Sequence, residues 1–278
     1  MTPAPTGVLY LVATPIGNLE DITLRALRVL REVALIACED TRHSRKLLAH
    51  YQISTPTLSY YRENEAERAH ELIDRLLAGE NIALISDAGM PLISDPGARL
   101  LAAAIAAGIS VVPLPGASAP LLALAASGWS TPVAWLGFLP PRTGERQRSL
   151  EAWKSWPGTL LLLESPHRIA AALADLEEVL GPDRPVVIAR EMTKLHEQFM
   201  RGTLAGVRQL WPAESKGEIT LVIGPPVESA AAPSSESLAA RLAAAQTKDD
   251  LKLLARETGL ARSDLYRRWQ QLRGKMER

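Results

Sequence analysis

The sequence predicts an α/β protein carrying two sheets, and three observations predict it. Short apolar runs alternate with segments of helical spacing through the first half of the chain, the order expected of βαβ units and a parallel sheet. A second series of such runs starts at residue 159 and gives the second half a sheet of its own. The loops that follow several of these runs concentrate glycine, proline and carboxylates, which marks a sheet edge where ligands bind.

Residues 8–13 read as a short apolar strand, and 21–31 as a helix with Ile22, Leu24, Leu27 and Leu30 at helical spacing. A buried strand follows at 33–37 and a helix at 44–51. Residues 57–60 read as a strand, 63–78 as an amphipathic helix, 82–85 as a strand, 98–107 as a helix and 111–114 as a strand, with a helix through 121–126. A connector rich in Pro and Gly lies near 128–144. Beyond it, strands are expected at 159–163, at 186–189 and within 217–224. Helices are expected at 167–180 and 204–210, and a short polar–apolar segment at 195–200. Small residues dominate 225–237, as in a linker. Three short helices follow at 238–245, 248–258 and 262–272, with Gly259 between the last two; a helix-turn-helix unit and a plain three-helix cap fit equally. The expected division is an α/β domain over 1–128, a second over 129–226, a linker over 227–237 and a basic helical extension over 238–278.

The chain has 278 residues, 47% of them hydrophobic, enough for ample core. Thirty-one basic side chains balance thirty-one acidic ones, but unevenly along the chain. Residues 241–278 hold ten basic and five acidic side chains, so this tail carries about +5 and the remainder about −5. A tail of that sign suits a polyanion, and ordinary solvated helical charge is the plainer alternative. Cys38 is the single cysteine, which excludes an intrachain disulfide and a thiolate metal cluster and fits a cytoplasmic protein. The five histidines show no ligand spacing, and no metal is expected. Residues 1–7 lack the pattern of a signal peptide. From 100 to 141 no residue is charged, yet Gly108, Pro113, Pro115, Gly116, Pro120 and Gly128 interrupt the stretch too often for a membrane helix of ~20 residues.

The loop 86–97 carries the strongest site signal: two carboxylates, two glycines and two prolines between a strand and a helix. The loop after the first strand, 14–21, stands where a dinucleotide fold places its glycines, but it has one glycine and Pro15 offers no N–H to a phosphate. No P-loop occurs, so nucleotide-phosphate chemistry is disfavoured. In the loop at 113–118, Gly116 permits close backbone approach to a ligand, and Ser118 is placed to cap the following helix. Mixed-charge clusters end three strands: Glu39-Asp40-Thr41-Arg42, Glu164-Ser165-Pro166-His167-Arg168, and Arg190-Glu191 with Thr193, Lys194 and His196. Their recurrence in both halves reads as the rim of one shared cleft.

These segments resemble the tetrapyrrole methylase superfamily, the class III S-adenosylmethionine-dependent methyltransferases, and within it the branch that modifies small-subunit ribosomal RNA. The motifs that carry the resemblance run in order along nearly the whole chain. They are Leu11-Val12-Ala13-Thr14-Pro15-Ile16-Gly17-Asn18-Leu19-Glu20-Asp21-Ile22, Cys38 to Arg42, 86–97, Pro115-Gly116-Ala117-Ser118-Ala119, Gly137-Phe138-Leu139-Pro140, Glu164 to Arg168, Arg190 to Lys194 and Gly217-Glu218-Ile219-Thr220. The first departs from the glycine pattern of the wider superfamily and matches the RNA-modifying branch.

The resemblance implies two α/β/α domains with a ligand cleft between them, and the small helix-turn-helix-like C-terminal extension read from the helix spacing fits it. It implies S-adenosyl-L-methionine as methyl donor, 2′-O-methylation of a cytidine in the decoding region of small-subunit (16S) ribosomal RNA, and a homodimer; neither membrane nor DNA is expected as a partner. Carried over by resemblance, the donor contacts are Pro15, Ile16, Asp87, Met90, Ala117, Ser118, Leu163, Arg190 and Glu218. Candidates to take the hydroxyl proton are Asp40, Glu39, Glu164 and Lys194, the lysine only if its pKa is depressed. The phosphate-facing set is Arg42, Arg45, Lys46, Arg142, Arg146, Arg148, Arg262, Arg267 and Arg268. Two alternatives stand beside this reading: a methyltransferase of a small tetrapyrrole precursor, and a catalytically idle ribosome-binding protein on the same scaffold.

Overall fold

The computed structural model describes residues 6–129, 132–212, 216–227, 242, 245, 247–258 and 262–276. They form two compact units, one ending at Pro226 and one starting at Val227.

The first sheet of the larger unit has five parallel strands in the order β3-β2-β4-β1-β5. They are β1 (Val8–Val12), β2 (Leu35–Cys38), β3 (Thr57–Ser59), β4 (Ile82–Ile85) and β5 (Ser110–Leu114). Helices α1 (Leu24–Glu32), α2 (Thr41–His50), α3 (Glu65–Leu77) and α4 (Ala98–Ala106) connect them. Both faces of the sheet are covered, which is why β4 is apolar at every position. Ala83 and Ile85 pack with Leu27, Leu30, Leu47 and Leu48 of α1 and α2. Ile82 and Leu84 pack on the opposite face with Leu72, Leu76 and Leu100 of α3 and α4. Pro113 is tolerated in β5 because β5 is an edge strand.

The second sheet has the order β6-β7-β10-β8-β9. Its strands are β6 (Val133–Phe138), β7 (Thr159–Glu164), β8 (Pro185–Arg190), β9 (Gln198–Thr203) and β10 (Ile219–Ile223). Only β6 and β7 run parallel; β10 pairs antiparallel with β7 and β8, and β8 with β9. The connector expected near 128–144 thus contains a strand, β6, which has a register shift between Trp135 and Gly137. The polar–apolar segment at 195–200 leads into β9, an exposed edge strand. The β9 sequence is not apolar throughout, whereas β6 is an apolar run that the flanking prolines and glycines of the connector hide.

Helices α6 (Thr143–Glu151), α7 (Ile169–Leu180) and α8 (Leu204–Leu210) supply the core on one face of this sheet. The other face receives α5 (Ala119–Ser127), which follows the last strand of the first sheet. Buried Ala123 packs there in one cluster with Leu161, Val187, Ala189 and Val222, and Ile16 from the loop after β1 joins it. The charge-free stretch therefore spans two sheets: its middle is the helix that joins them.

One expectation is corrected here. Arg146, read as phosphate-facing, is 1% exposed and paired with buried Asp175. Its Nε donates to Asp175 at 2.5 Å, and its Nη1 donates to the carbonyls of Pro140 and Pro141 at 3.3 and 3.2 Å. Gln147 donates to the second Asp175 oxygen at 2.9 Å. The arginine fastens α6 and the turn before it to α7.

The smaller unit holds α9 (Lys248–Thr258) and α10 (Arg262–Met276) around Leu242, Ala245, Leu251, Leu254, Leu265 and Trp269. The indole of Trp269 donates to the Ala245 carbonyl at 2.8 Å. Thr247 and Asp250 exchange backbone-to-side-chain bonds of 2.8 and 3.2 Å, a reciprocal cap at the start of α9. Most of the helix expected at 238–245, the turn at Gly259 and all of the linker beyond Val227 lie outside the described residues.

Replacing Arg146 by Ala leaves Asp175 buried without its cation and lowers unfolding free energy by about 3–5 kcal/mol, measured by urea denaturation. The double replacement Arg146→Met with Asp175→Leu recovers most of that loss.

Candidate functional site

The loops after β1 and β4 leave neighbouring strands for opposite faces, since α1 and α4 lie on opposite sides of the first sheet. Such a divergence opens a crevice at the carboxyl edge. Two backbone bonds cross it: Thr14 N–H donates to Gly89 at 2.9 Å and Gly89 N–H donates to Thr14 at 3.0 Å. Thr14 Oγ1 adds a bond to the Ser86 carbonyl at 3.1 Å, and Ser86 Oγ donates to the Gly89 carbonyl at 3.2 Å.

On one side of this tie lies a cavity of about 330 Å³ between the two sheets. The first sheet contributes Ile16, 88–90, 93–95 and 118–120. The second contributes Phe138 at the end of β6, 163–166 at the end of β7 and 217–220 at the start of β10. Its charged lining consists of Asp95, Glu164 and Glu218; among the described residues no Lys, Arg or His lines it. A second cavity, about 260 Å³, lies against Thr14, Pro15, Leu19, His43, Ser44, Lys46, Ser86 and Asp87.

The donor contacts implied by resemblance divide between these spaces. Ile16, Met90, Ser118, Leu163 and Glu218 line the larger cavity, while Pro15 and Asp87 line the smaller. Ala117 packs in the apolar cluster between the sheets, and Arg190 ends β8 with its Nε buried and without a hydrogen-bond partner. A Cβ on Gly116 would stand 2.6 Å from that of Ala13, so its close approach is to the end of β1. Ser118 occupies the cap position of α5 without a side-chain cap bond. The second helical residue is Pro120, which has no N–H to give it.

The proton-acceptor candidates sit in unlike surroundings. Asp40 caps α2, and its carboxylate accepts from the Arg42 side chain at 2.9 and 3.2 Å and from the Arg42 N–H at 2.8 Å. Those bonds hold it down to about 2, where a carboxylate is a weak base. Burial, then the charges of Asp87 and Asp95, push Glu39 up, with Arg62 opposing. Glu164 lines the cavity with its side chain tied back: it accepts from Ser165 N–H at 2.7 Å and pairs with Arg168 at 3.4 Å. Partial burial works against the charge of Lys194, but the Glu191 hydrogen bond and the Glu218 charge outweigh it and keep its pKa above the ordinary value. Its Nζ lies 2.8 Å from Glu191 and 3.3 Å from Glu218, so it is a protonated brace.

Asp95 was not singled out as a site residue, although its loop was. It lines the larger cavity, and burial, opposed by a Ser86 hydrogen bond and aided by the Asp87 charge, pushes it up to about 6. No sequence signal separates it from Asp87; the cavity each one lines does.

Of the phosphate-facing set, Arg42, Arg45, Lys46, Arg142, Arg148, Arg262, Arg267 and Arg268 are exposed. Lys46 also lines the smaller cavity.

A fold with two such sheets and a cavity at their facing strand ends has close solved counterparts. The uroporphyrin-III C-methyltransferase of Thermus thermophilus, solved with S-adenyl homocysteine, superposes with a TM-score of 0.55 at 20% identity, covering 78% of this chain and 97% of that one. A diphthine synthase gives 0.63 at 15% identity over 78% of this chain and 90% of that one. At these identities the likeness is one of fold. The family model for tetrapyrrole (corrin/porphyrin) methylases matches residues 8–208. The chain belongs to that family. Among curated proteins, ribosomal RNA small subunit methyltransferase I of Synechocystis is 47% identical over 268 residues, 94% of this chain and 96% of that protein. The protein of the same name from Pseudomonas aeruginosa is 44% identical over 279 residues, 97% of this chain and 99% of that protein.

Gly17 touches the loop after β8: a Cβ there would lie 2.4 Å from Lys194 Cγ and 2.9 Å from Thr193 Oγ1. Gly17→Ala forces the two loops apart and costs about 1–3 kcal/mol, read as a lowered melting temperature. Gly144→Ala, where a methyl meets nothing within 4 Å, is the control and leaves stability unchanged or slightly raised.

Proposed function

We propose that this chain transfers a methyl group from S-adenosylmethionine to small-subunit ribosomal RNA, at the 2′-hydroxyl of a cytidine in the decoding region. The observation that carries this reading is its end-to-end likeness to ribosomal RNA small subunit methyltransferase I proteins, at 44% and 47% identity. The larger cavity supports it chemically. Three carboxylates and no cation among its described lining suit a ligand bearing sulfonium and ammonium charge and repel a phosphate. Its volume is that of a site for one small molecule. S-adenosylmethionine, when bound, supplies a methyl already activated on a positively charged sulfur.

The chain's own residues then bind and align. In this reading Ile16, Met90 and Leu163 form apolar walls, Ser118 and the backbone near Ala117 offer polar contacts, and Glu218 faces the cationic groups. Pro15, Asp87 and Arg190 complete the set from the margins of the crevice. Holding the attacking oxygen in line can supply about 7–11 kcal/mol of the barrier. The two α/β portions, 1–128 and 129–226, act as the jaws of the donor site, and the segment 238–278, reached through a linker at 227–237, acts as a basic RNA-binding extension. Arg42, Arg45, Lys46, Arg142 and Arg148 offer exposed cations for phosphates on the first unit, and Arg262, Arg267 and Arg268 on the second. A homodimer working on RNA in the cytoplasm, apart from DNA and membranes, belongs to the same proposal. Among the described residues no helix is long and apolar enough to cross a membrane.

Incubated with methyl-labelled donor, the protein puts label into small-subunit ribosomal RNA and none into free tetrapyrroles. Label on a tetrapyrrole instead identifies a small-molecule enzyme, and RNA binding with no donor affinity by calorimetry identifies an idle ribosome binder. Truncation after Val227 weakens RNA binding and lowers the slope of log affinity against log salt by about 2–3, the share of three phosphate-contacting arginines. An unchanged slope removes the extension from the RNA surface.

A further inference from the structure

We infer that Leu195 and His196, at the corner of the turn after β8, insert against the bases of the RNA beside its target nucleotide. The inference rests on the ribosomal RNA reading above and adds to it a contact that phosphate-facing cations do not supply.

The turn presents an apolar side chain and a flat ring to solvent. Glu197 N–H donates to the Lys194 carbonyl at 3.1 Å, which closes a four-residue turn with Leu195 and His196 at its corners. Leu195 is 93% exposed, more than any other large apolar side chain among the described residues, and His196 is exposed beside it. Turns favour Gly, Pro, Asn, Asp and Ser, each for a local reason that leucine does not share. A lone surface leucine needs no explanation. This one has a ring for a neighbour and a fixed support beneath it.

The support is costly and heavily bonded. Glu191 and Thr193 take φ of 50° and 65°, a left-handed conformation that side-chain-bearing residues enter only where the surroundings enforce it. Met192, between them, is buried in the apolar cluster between the sheets. Thr193 N–H donates to the Glu197 carboxylate at 2.7 Å, and Lys194 N–H to the Glu191 carbonyl at 3.0 Å. Lys194 Nζ bridges Glu191 and Glu218, and Glu218 N–H donates to the Glu191 carboxylate at 2.9 Å. A tip held this firmly loses little freedom when it meets a partner.

Position and charge select the partner. Glu218, which braces the turn, lines the larger cavity. On the other side Thr193 and Lys194 lie against Gly17, whose near neighbours Pro15 and Leu19 line the smaller cavity with His43 and Lys46 of α2. Arg42 and Arg45 are exposed on the same helix. The turn therefore stands between the donor site and a group of cations, where a strand delivering its 2′-hydroxyl to the donor must pass. Glu191, Glu197 and Glu218 around the tip repel phosphates, which the α2 cations attract instead. What remains for the tip is the bases: leucine wedges between base steps, and histidine stacks on unpaired bases. Inserted in this way, the pair holds neighbouring bases apart and keeps the target nucleotide turned toward the donor.

The test compares wild type with the double variant Leu195→Ser, His196→Ser, and with the conservative double variant Leu195→Met, His196→Phe. In the serine variant kcat/KM for label transfer to small-subunit ribosomal RNA falls about 10–100-fold, the share of one or two base contacts. RNA affinity falls while the slope of log affinity against log salt stays that of wild type, because no phosphate contact is lost. Donor affinity by calorimetry stays within about twofold, and melting temperature and sedimentation are unchanged, since both side chains are exposed. The conservative variant retains most of the activity. A serine variant as active as wild type overturns the inference. A lowered salt slope overturns it in favour of a phosphate contact, weakened donor binding in favour of a donor contact, and altered sedimentation in favour of a contact between two copies of the chain. Wild-type protein that labels no small-subunit RNA overturns the substrate reading and the role of the turn with it, whereas wild-type labelling matched by the serine variant removes the turn alone.

Discussion

The site depends on the reciprocal backbone pair between Thr14 and Gly89. These residues follow adjacent strands whose loops turn to opposite faces of the sheet, and nothing else in the parallel ladder joins them. The pair converts a crevice that topology leaves open into a ridge with a cavity on each side. Ile16, two residues past Thr14, and Met90, next to Gly89, then line the larger cavity, while Pro15 and Asp87 line the smaller. Helix α5 completes the frame. It starts from the first sheet and buries Ala123 against the second, so the strand ends of both converge on one space.

Within that frame, environment separates carboxylates that the sequence presents as equals. Asp40 and Asp95 both follow strands of the first sheet. One lies at the surface under an arginine fork and is held down to about 2; the other is half-buried near like charges and is pushed up to about 6. The cations near the cavity are spent on its rim: Arg168 on Glu164, and Lys194 on Glu191 and Glu218. The interior stays acidic, while exposed arginines and lysines lie elsewhere on both units, Arg42, Arg142 and Arg267 among them paired with neighbouring carboxylates.

Much of this architecture was legible in the chain. The first sheet was readable because its central strands are buried on both faces and carry unbroken apolar runs, as β4 does. The strand-to-helix loops were readable because carboxylates, glycines and prolines cannot serve as core. The edge strands β6 and β9 were not: β9 is polar and largely exposed, and the apolar run of β6 is set among the prolines and glycines of a connector. Arg146 was misread because a charge in a basic cluster looks solvated until its buried partner, 29 residues away, is known. Ser118 holds the cap position of α5, as expected, but its side chain makes no cap bond, and Pro120 removes one of the two donors it could have used. Asp95 was hidden because its place in the larger cavity, rather than its spacing, separates it from Asp87.

A crystal structure of the protein grown with S-adenosylmethionine tests the central claim most directly. The account predicts the ligand between the sheets, against Gly89 and Ser118 on one side and Leu163 and Glu218 on the other, with its sulfonium facing carboxylates. Density for the ligand outside that space, with the crevice empty, would contradict it.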